Sequence, residues 1–69
     1  MNPKIGKIIL VIDRDTSHQV PAIITVVWSQ LCINATVFCA DGSTHSRRSL
    51  LFDESLPTWD SWRWPSIEE

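Results

Sequence analysis

The chain has 69 residues, of which 43% are hydrophobic and 20% are charged, with a net charge of −2, four Trp and no Tyr. The length excludes a large two-domain enzyme, because a chain this small buries only about 60% of its unfolded surface. The composition excludes a collagen-like chain and a disordered tail. Six Lys and Arg residues do not make the basic face that binds duplex nucleic acid, so we expect no such partner.

Neither a membrane nor a disulfide is expected. The apolar run Ile8–Ile12 is far too short to span a bilayer, and no signal-peptide pattern precedes it. Cys32 and Cys39 would lie roughly 23 Å apart in an extended strand, whereas a disulfide requires Cα atoms within about 7 Å. The sequence therefore predicts reduced thiols in a cytoplasmic protein.

Strand propensity dominates the chain. β-Branched runs separated by turn residues predict five strands, over residues 7–13, 22–28, 31–39, 43–51 and 61–65. Side-chain alternation predicts that Ile24, Val26 and Trp28 share one face of the second strand. In the third strand the more apolar set is expected to point inward: Ile33, Ala35, Val37 and Cys39.

The connections complete the fold prediction. Residues 14–19 are polar and predict a loop, and Ser29-Gln30 lacks the Gly or Asn of a two-residue turn, which predicts a longer connection. Asp41-Gly42 predicts a hairpin with a primed turn, in which both central residues have positive φ. Five short strands without a helical stripe predict an all-β fold, a single small five-stranded barrel over residues 1–69.

Four segments in order resemble a group of short proteins from tailed bacteriophages. The four segments are Gly6-Lys7-Ile8-Ile9, residues 21–28, residues 33–38 with Asp41-Gly42, and Trp62-Arg63-Trp64-Pro65. The similarity covers residues 6–65. Its most distinctive part is the closing W-x-W-P. The chain departs from the group in its short 14–19 stretch and in Trp59, an additional Trp. The resemblance implies an SH3-like barrel encoded by a phage, and by analogy with early phage genes an antagonist of a host system.

Aromatic and cationic residues are the candidate binding residues. Trp offers a rigid face for stacking on a base or capping a partner side chain, and Arg suits phosphate or carboxylate. Neighbouring arginines in a strand face opposite sides, so at most one of Arg47 and Arg48 lines a given pocket. The alternative to ligand binding for these two arginines is a charged, solvent-exposed edge of the hairpin. For Trp62 and Trp64 the alternative is packing in the core. The candidate ligand-binding set is Trp28, Arg47, Arg48, Trp59, Trp62 and Arg63.

Catalytic and metal sites are not indicated. The Ser and His side chains of residues 43–46 diverge along one strand, whereas nucleophilic catalysis requires convergence. Two His and two Cys residues lack the close pairs of a zinc site, and no Gly-rich phosphate loop is present. Residues 13–15 predict a solvated turn. We therefore expect no enzyme activity and no cofactor.

The function expected from these features is inhibition of a bacterial defence system by binding, in the host cytoplasm. In one form, a homo-oligomer sequesters a cyclic or other nucleotide immune signal at a subunit interface, since one barrel is too small to enclose a dinucleotide. In the other form, Trp59 and the acidic C-terminal segment block a host immune protein. The alternative is a structural or assembly module of the virion, which requires only a hydrophobic patch.

Overall fold

The computed structural model describes residues 2–56 and 60–65, and the regular structure in these residues is β-strand. The strands are β1 (Ile8–Ile12), β2 (Gln19–Val27), β3 (Cys32–Phe38), β4 (Thr44–Phe52) and β5 (Ser61–Arg63). They close into a barrel in the order β1-β2-β3-β4-β5, with β5 beside β1. All neighbouring strands are antiparallel except β4 and β5, which are parallel. The prediction of an all-β, five-stranded barrel is confirmed.

The three-residue strand β5 closes the barrel. Trp62 pairs with Val11 of β1 on one side and with Phe52 of β4 on the other. Pairing both flanks of β5 covers parts of β1 and β4 that would otherwise be free strand edges, and such edges promote edge-to-edge aggregation. Because the pairing with β4 begins at Leu51, the first half of β4 extends past β5.

Alternating inward residues of all five strands form the core. The three β3 residues predicted to point inward, Ile33, Ala35 and Val37, are at most 1% exposed, and Cys39 packs against the core as predicted. Each fully buried aliphatic side chain of this kind contributes roughly 1.5–3 kcal/mol to folding. The full cluster comprises Ile9, Val11, Val20, Ala22, Ile24, Ile33, Ala35, Val37, Leu50 and Trp62.

A β-bulge in β2 changes the predicted faces of that strand. The register with β3 shifts between Ile24 and Val26, which makes Thr25 the additional residue. An additional residue reverses the alternation, so Val27 instead of Val26 packs against the core, and Trp28 is 64% exposed. The prediction that Ile24, Val26 and Trp28 share one face is therefore wrong.

Strand β2 also begins earlier than predicted, at Gln19. Pro21 thus lies within the strand, paired with Leu10 of β1. On the side of β2 that faces β3, the pairing begins only at Ala22, which pairs with Val37, so Pro21 lies just outside this ladder. Because proline has no N–H to donate, a position beyond the end of a ladder is where a strand tolerates it.

The β3–β4 connection is the predicted hairpin, but its turn is of another type. Gly42 N donates to Cys39 O at 3.0 Å, and Cys39 N donates to Ser43 O at 2.8 Å. Gly42 has a φ of 92°, while Asp41 is not in the positive-φ region, so the predicted primed turn is wrong. The pattern is that of a three-residue hairpin loop, in which a left-handed residue follows a type I turn.

The β2–β3 connection spans residues 28–31 and is longer than two residues, as predicted. Trp28 N and Ser29 N both donate to Cys32 O, at 2.9 and 3.1 Å. The Ser29 hydroxyl oxygen accepts hydrogen bonds from the N–H groups of Leu31 and Cys32, at 3.2 and 3.1 Å. This hydroxyl stabilises the loop in the absence of Gly or Asn.

Candidate functional site

Trp28 follows β2, and a hydrogen bond fixes its exposed indole ring. The indole Nε1 donates to Oδ1 of Asn34 at 2.9 Å. Asn34 lies on the outer face of β3, between the buried residues Ile33 and Ala35. A side chain that is already held in one orientation loses less conformational freedom when a partner binds it. The barrel thus presents a large aromatic surface in a defined position.

The same amide oxygen also organises β4. Oδ1 of Asn34 accepts a second hydrogen bond, from Ser49 N, at 2.9 Å. Ser49 has a φ of 56° and lies in a second bulge, where Arg48 and Ser49 together oppose Asn34. A non-Gly residue in the left-handed region costs of order 1–3 kcal/mol, which this bond helps to offset. One side chain therefore couples the position of Trp28 to the bulge that carries Arg48.

Two exposed aliphatic side chains lie on segments next to Trp28 in the fold. Leu31 is 57% exposed and Leu51 is 56% exposed. Leu51 pairs with Cys32, whose carbonyl accepts the N–H of Trp28. Trp and Arg are enriched in binding hot spots, and exposed leucines on neighbouring segments can supply the apolar contacts around them. We call this surface the Trp28 patch; its members are Trp28, Leu31, Asn34, Arg48 and Leu51.

Arg47 and Arg48 face different sides of β4, as predicted. Arg48 is exposed and lies opposite Asn34 in the register. Arg47 is half-buried and pairs with the buried residue Ala35. Because directly paired residues share a face, Arg47 projects from the interior side of the strand. The structure brings Arg48 to the Trp28 patch and places Arg47 elsewhere.

Trp62 belongs to the core, where it is 1% exposed. Its ring packs edge-to-face against Phe52 and Trp64, with centroid distances of 5.0 and 5.1 Å. Its Nε1 donates to the carbonyl oxygen of Leu31 at 3.0 Å. Trp62 lines a cavity of about 270 Å³ together with Leu31, Phe52 and Trp64, but its ring is almost fully covered, so it has the core-packing role that was the alternative for it. Because Leu31 belongs to the Trp28 patch, Trp62 supports that patch from inside the barrel.

Arg63 lies apart from the Trp28 patch. It faces away from Trp62, and its Nη2 donates to Oε1 of Gln19 at 3.4 Å, at the start of β2. Its Nε is buried without a hydrogen-bond partner among the residues described here. The remaining predicted binding residue, Trp59, lies outside the described residues.

A second candidate site is a polar cavity of about 450 Å³ at the other end of β2 from the Trp28 patch. One wall follows β1, and the other is the first half of β4, which extends past β5. The lining residues are Asp13, Arg14, Asp15, His45, Ser46 and Arg47. We call this space the loop-end cavity.

Asp13 is the buried carboxylate of this cavity, and it is 3% exposed. Its Oδ2 accepts a hydrogen bond from Ala40 N at 3.1 Å, and its Oδ1 accepts one from Asp15 N at 2.9 Å. These hydrogen bonds lower the pKa of Asp13 below its ordinary value of 3.8, and the bond from Ala40 has the largest effect. The prediction of a solvated turn is therefore wrong for Asp13, which joins the β1–β2 loop to the β3–β4 hairpin.

The melting temperature should fall as the pH falls into the acid range, and it should fall less in an Asp13→Asn variant. A carboxylate with a lowered folded-state pKa contributes stability that is fully present above its unfolded pKa, near 3.8. That stability is lost as the pH falls through the lower, folded-state pKa. Thermal unfolding followed by circular dichroism across this range measures the effect, with Asp15→Asn as the neighbouring control. Equal acid dependence in wild type and Asp13→Asn would contradict this role.

Asn34, Leu31 and Leu51 belong to the Trp28 patch but are not singled out by the sequence. A signal exists for Asn34, because a lone amide in an apolar strand pattern requires hydrogen-bond partners. The exposure of Leu31 depends on a loop that the sequence describes only by its length. The position of Ser49 opposite Asn34 results from a bulge, for which the sequence provides no glycine as a marker.

Among residues 2–56 and 60–65, no group of three His, Cys, Asp or Glu side chains is arranged to hold a metal ion. Within the same ranges, no helix is sufficiently long and apolar to cross a membrane. Comparison with known proteins finds no matching family, no matching curated protein and no matching solved structure.

Proposed function

We propose that this chain is a non-enzymatic phage protein that inhibits a bacterial defence system, and that it does so by docking the Trp28 patch onto a host immune protein. The observation that carries the proposal is the Trp28 indole, which is 64% exposed and yet held by Asn34 at 2.9 Å. The resemblance to tailed-phage proteins supports the counter-defence role, and the patch supports its mode of action.

A protein partner suits the chemistry of the patch. Leu31 and Leu51 offer aliphatic surface beside the indole, and burying such surface drives association. Trp and Arg are the residues most often found as hot spots, where truncation costs about 2 kcal/mol or more of binding free energy. Arg48 at the edge of the patch would select a partner with a carboxylate at the matching position.

Sequestration of a nucleotide signal is the second candidate function, favoured by Trp28 bonding to Asn34 and Arg48 lying opposite the same residue. A base stacked on an aromatic side chain gains about 1–3 kcal/mol, and the guanidinium would hold a phosphate. The patch is an open surface, so two copies of the chain would have to enclose the nucleotide between them. This candidate therefore requires a homo-oligomer, with Trp28 and Arg48 of each subunit at the interface.

Restoration of phage growth tests the proposed function. The chain is expressed in bacterial strains that each carry one defence system, and a phage restricted by that system is plated on them. We expect the wild-type chain to restore plaque formation in at least one strain, relative to an empty vector. Strains without a defence system control for effects on phage growth itself.

The alternative virion role predicts a different result. No restoration in any strain, together with the chain as a stoichiometric component of purified virions in mass spectrometry, would contradict the counter-defence proposal. That outcome would make the Trp28 patch an assembly contact.

A further inference from the structure

The loop-end cavity contains two polar side chains at positions where a barrel normally places apolar ones. His45 pairs with Val37, and Arg47 pairs with Ala35. Both partners are 1% exposed and point into the barrel. Since directly paired residues share a face, His45 and Arg47 also project from the interior side of β4. Later in the strand the interior side carries the apolar residue Leu50. The polar residues on the interior side are therefore those of the half of β4 that extends past β5.

The opposite wall of the cavity is held rigidly. Asp13 N donates to His18 O, and Ser17 N donates to Asp13 O, each at 2.8 Å, which closes the β1–β2 loop. The Asp13 carboxylate then ties this loop to Ala40 of the β3–β4 hairpin. The same hairpin leads into the strand segment that carries His45 and Arg47. Both walls are therefore fixed relative to each other before any ligand arrives, which lowers the entropic cost of binding.

The lining is balanced in formal charge, with Arg14 and Arg47 against Asp13 and Asp15, but its donor groups suit an oxyanion. Arg14, Arg47 and His45 supply cationic or N–H donor groups, while both oxygens of Asp13 already accept backbone hydrogen bonds. Arg14 and Arg47 also interact within the chain, but a guanidinium has five N–H donors and can serve an internal partner and a ligand together. We infer that the loop-end cavity binds the phosphate group of a small phosphorylated molecule, with Arg47 as its principal contact.

The remaining lining residues indicate the rest of the ligand. Asp15 is exposed and Ser46 carries a hydroxyl, so both can bind hydroxyl groups of a ligand. Among the described residues, the lining contains no Trp or Phe on which a base would stack. A volume of about 450 Å³ falls within the range of small-molecule pockets. A sugar phosphate fits these features, and the inference is independent of the Trp28 patch.

Titration of the full, isotope-labelled chain with ribose 5-phosphate, inorganic phosphate and ribose tests this inference by NMR. We expect both phosphate compounds to shift the amide resonances of residues 13–15 and 45–47, and ribose to leave them unchanged. Arg47→Gln should weaken binding of ribose 5-phosphate about tenfold or more, because a charge-assisted contact is lost. Arg48→Gln is the matched control, since it removes the adjacent arginine outside the cavity, and it should bind as wild type does.

Several outcomes would overturn the inference. These are equal shifts with ribose and ribose 5-phosphate, no shift of the wild-type cavity resonances, or equal weakening by Arg48→Gln and Arg47→Gln. If Arg47→Gln does not fold, His45→Gln replaces it, because His45 is exposed and its substitution leaves the core intact. Weaker binding by His45→Gln than by Arg48→Gln supports the cavity, and equal binding by the two variants contradicts it.

Discussion

Replacing Trp62 with Ala should remove much or all of the free energy of unfolding at room temperature. A Trp→Ala change in a core costs about 3–5 kcal/mol. A 69-residue domain has a total stability of roughly 3–10 kcal/mol at ordinary values per residue, so this single change removes much or all of it. The variant also loses the hydrogen bond to the Leu31 carbonyl and the ring contacts with Phe52 and Trp64.

Urea unfolding followed by circular dichroism measures this loss, and Trp62→Phe is the graded control. Phe retains an aromatic ring but cannot donate to Leu31, so we expect a folded protein with a lower unfolding midpoint. A Trp62→Ala protein with a midpoint close to that of wild type would show that this residue is not central to the core.

Replacing Trp28 with Ala should have the opposite profile: the fold persists and partner binding is lost. The side chain is 64% exposed, and its loss removes one hydrogen bond while Asn34 still accepts the bond from Ser49. Removing a typical hydrogen bond costs about 0.5–1.5 kcal/mol, so the variant should remain folded. A hot-spot loss of about 2 kcal/mol or more would weaken binding roughly 30-fold or more.

The plaque assay and a thermal melt together measure both halves of this prediction. Trp28→Ala should fail to restore phage growth although it melts as a folded protein. Ile5→Ala is the matched control, because Ile5 is 72% exposed and lies outside the Trp28 patch. Full restoration by Trp28→Ala, or equal failure of Ile5→Ala, would show that the patch is not the site of action.

Much of the fold follows from local patterns in the sequence. The alternation of Ile33, Ala35 and Val37 identifies the buried face of β3 because that strand carries no additional residue of its own. Asp41-Gly42 locates the hairpin because a glycine after an aspartate is compatible with a tight reversal, whichever turn type results. The five strands are therefore predictable even where their ends shift by a few residues.

The features that the sequence does not predict depend on contacts between distant segments. The bulges at Thr25 and Ser49 result from how neighbouring strands align, and they determine which side chains reach the surface. Trp28 and Trp62 have the same side chain, yet one is exposed and the other fills the core, because β5 inserts between β1 and β4. Asp13 is buried because Ala40, far along the chain, donates to it.

These long-range contacts also explain why the sequence predicts only part of the candidate site. Of the predicted binding residues, the structure connects Trp28 and Arg48 through Asn34, while Arg47 lines the loop-end cavity. Spacing along a strand predicts the side of the strand from which each arginine projects. It does not predict what lies on that side. The members of the Trp28 patch come from two strands and one loop, and no local pattern connects them.

Native mass spectrometry of the chain, purified from cells in which it restores phage growth, shows directly whether this protein acts by binding through the Trp28 patch. We expect the wild-type chain to carry a bound partner, read as an added protein mass or a nucleotide mass together with the number of subunits. Trp28→Ala purified in parallel should appear without that partner. A wild-type chain that is a bare monomer, or a Trp28→Ala chain that retains the same partner, would contradict the claim that this protein acts by binding through the Trp28 patch.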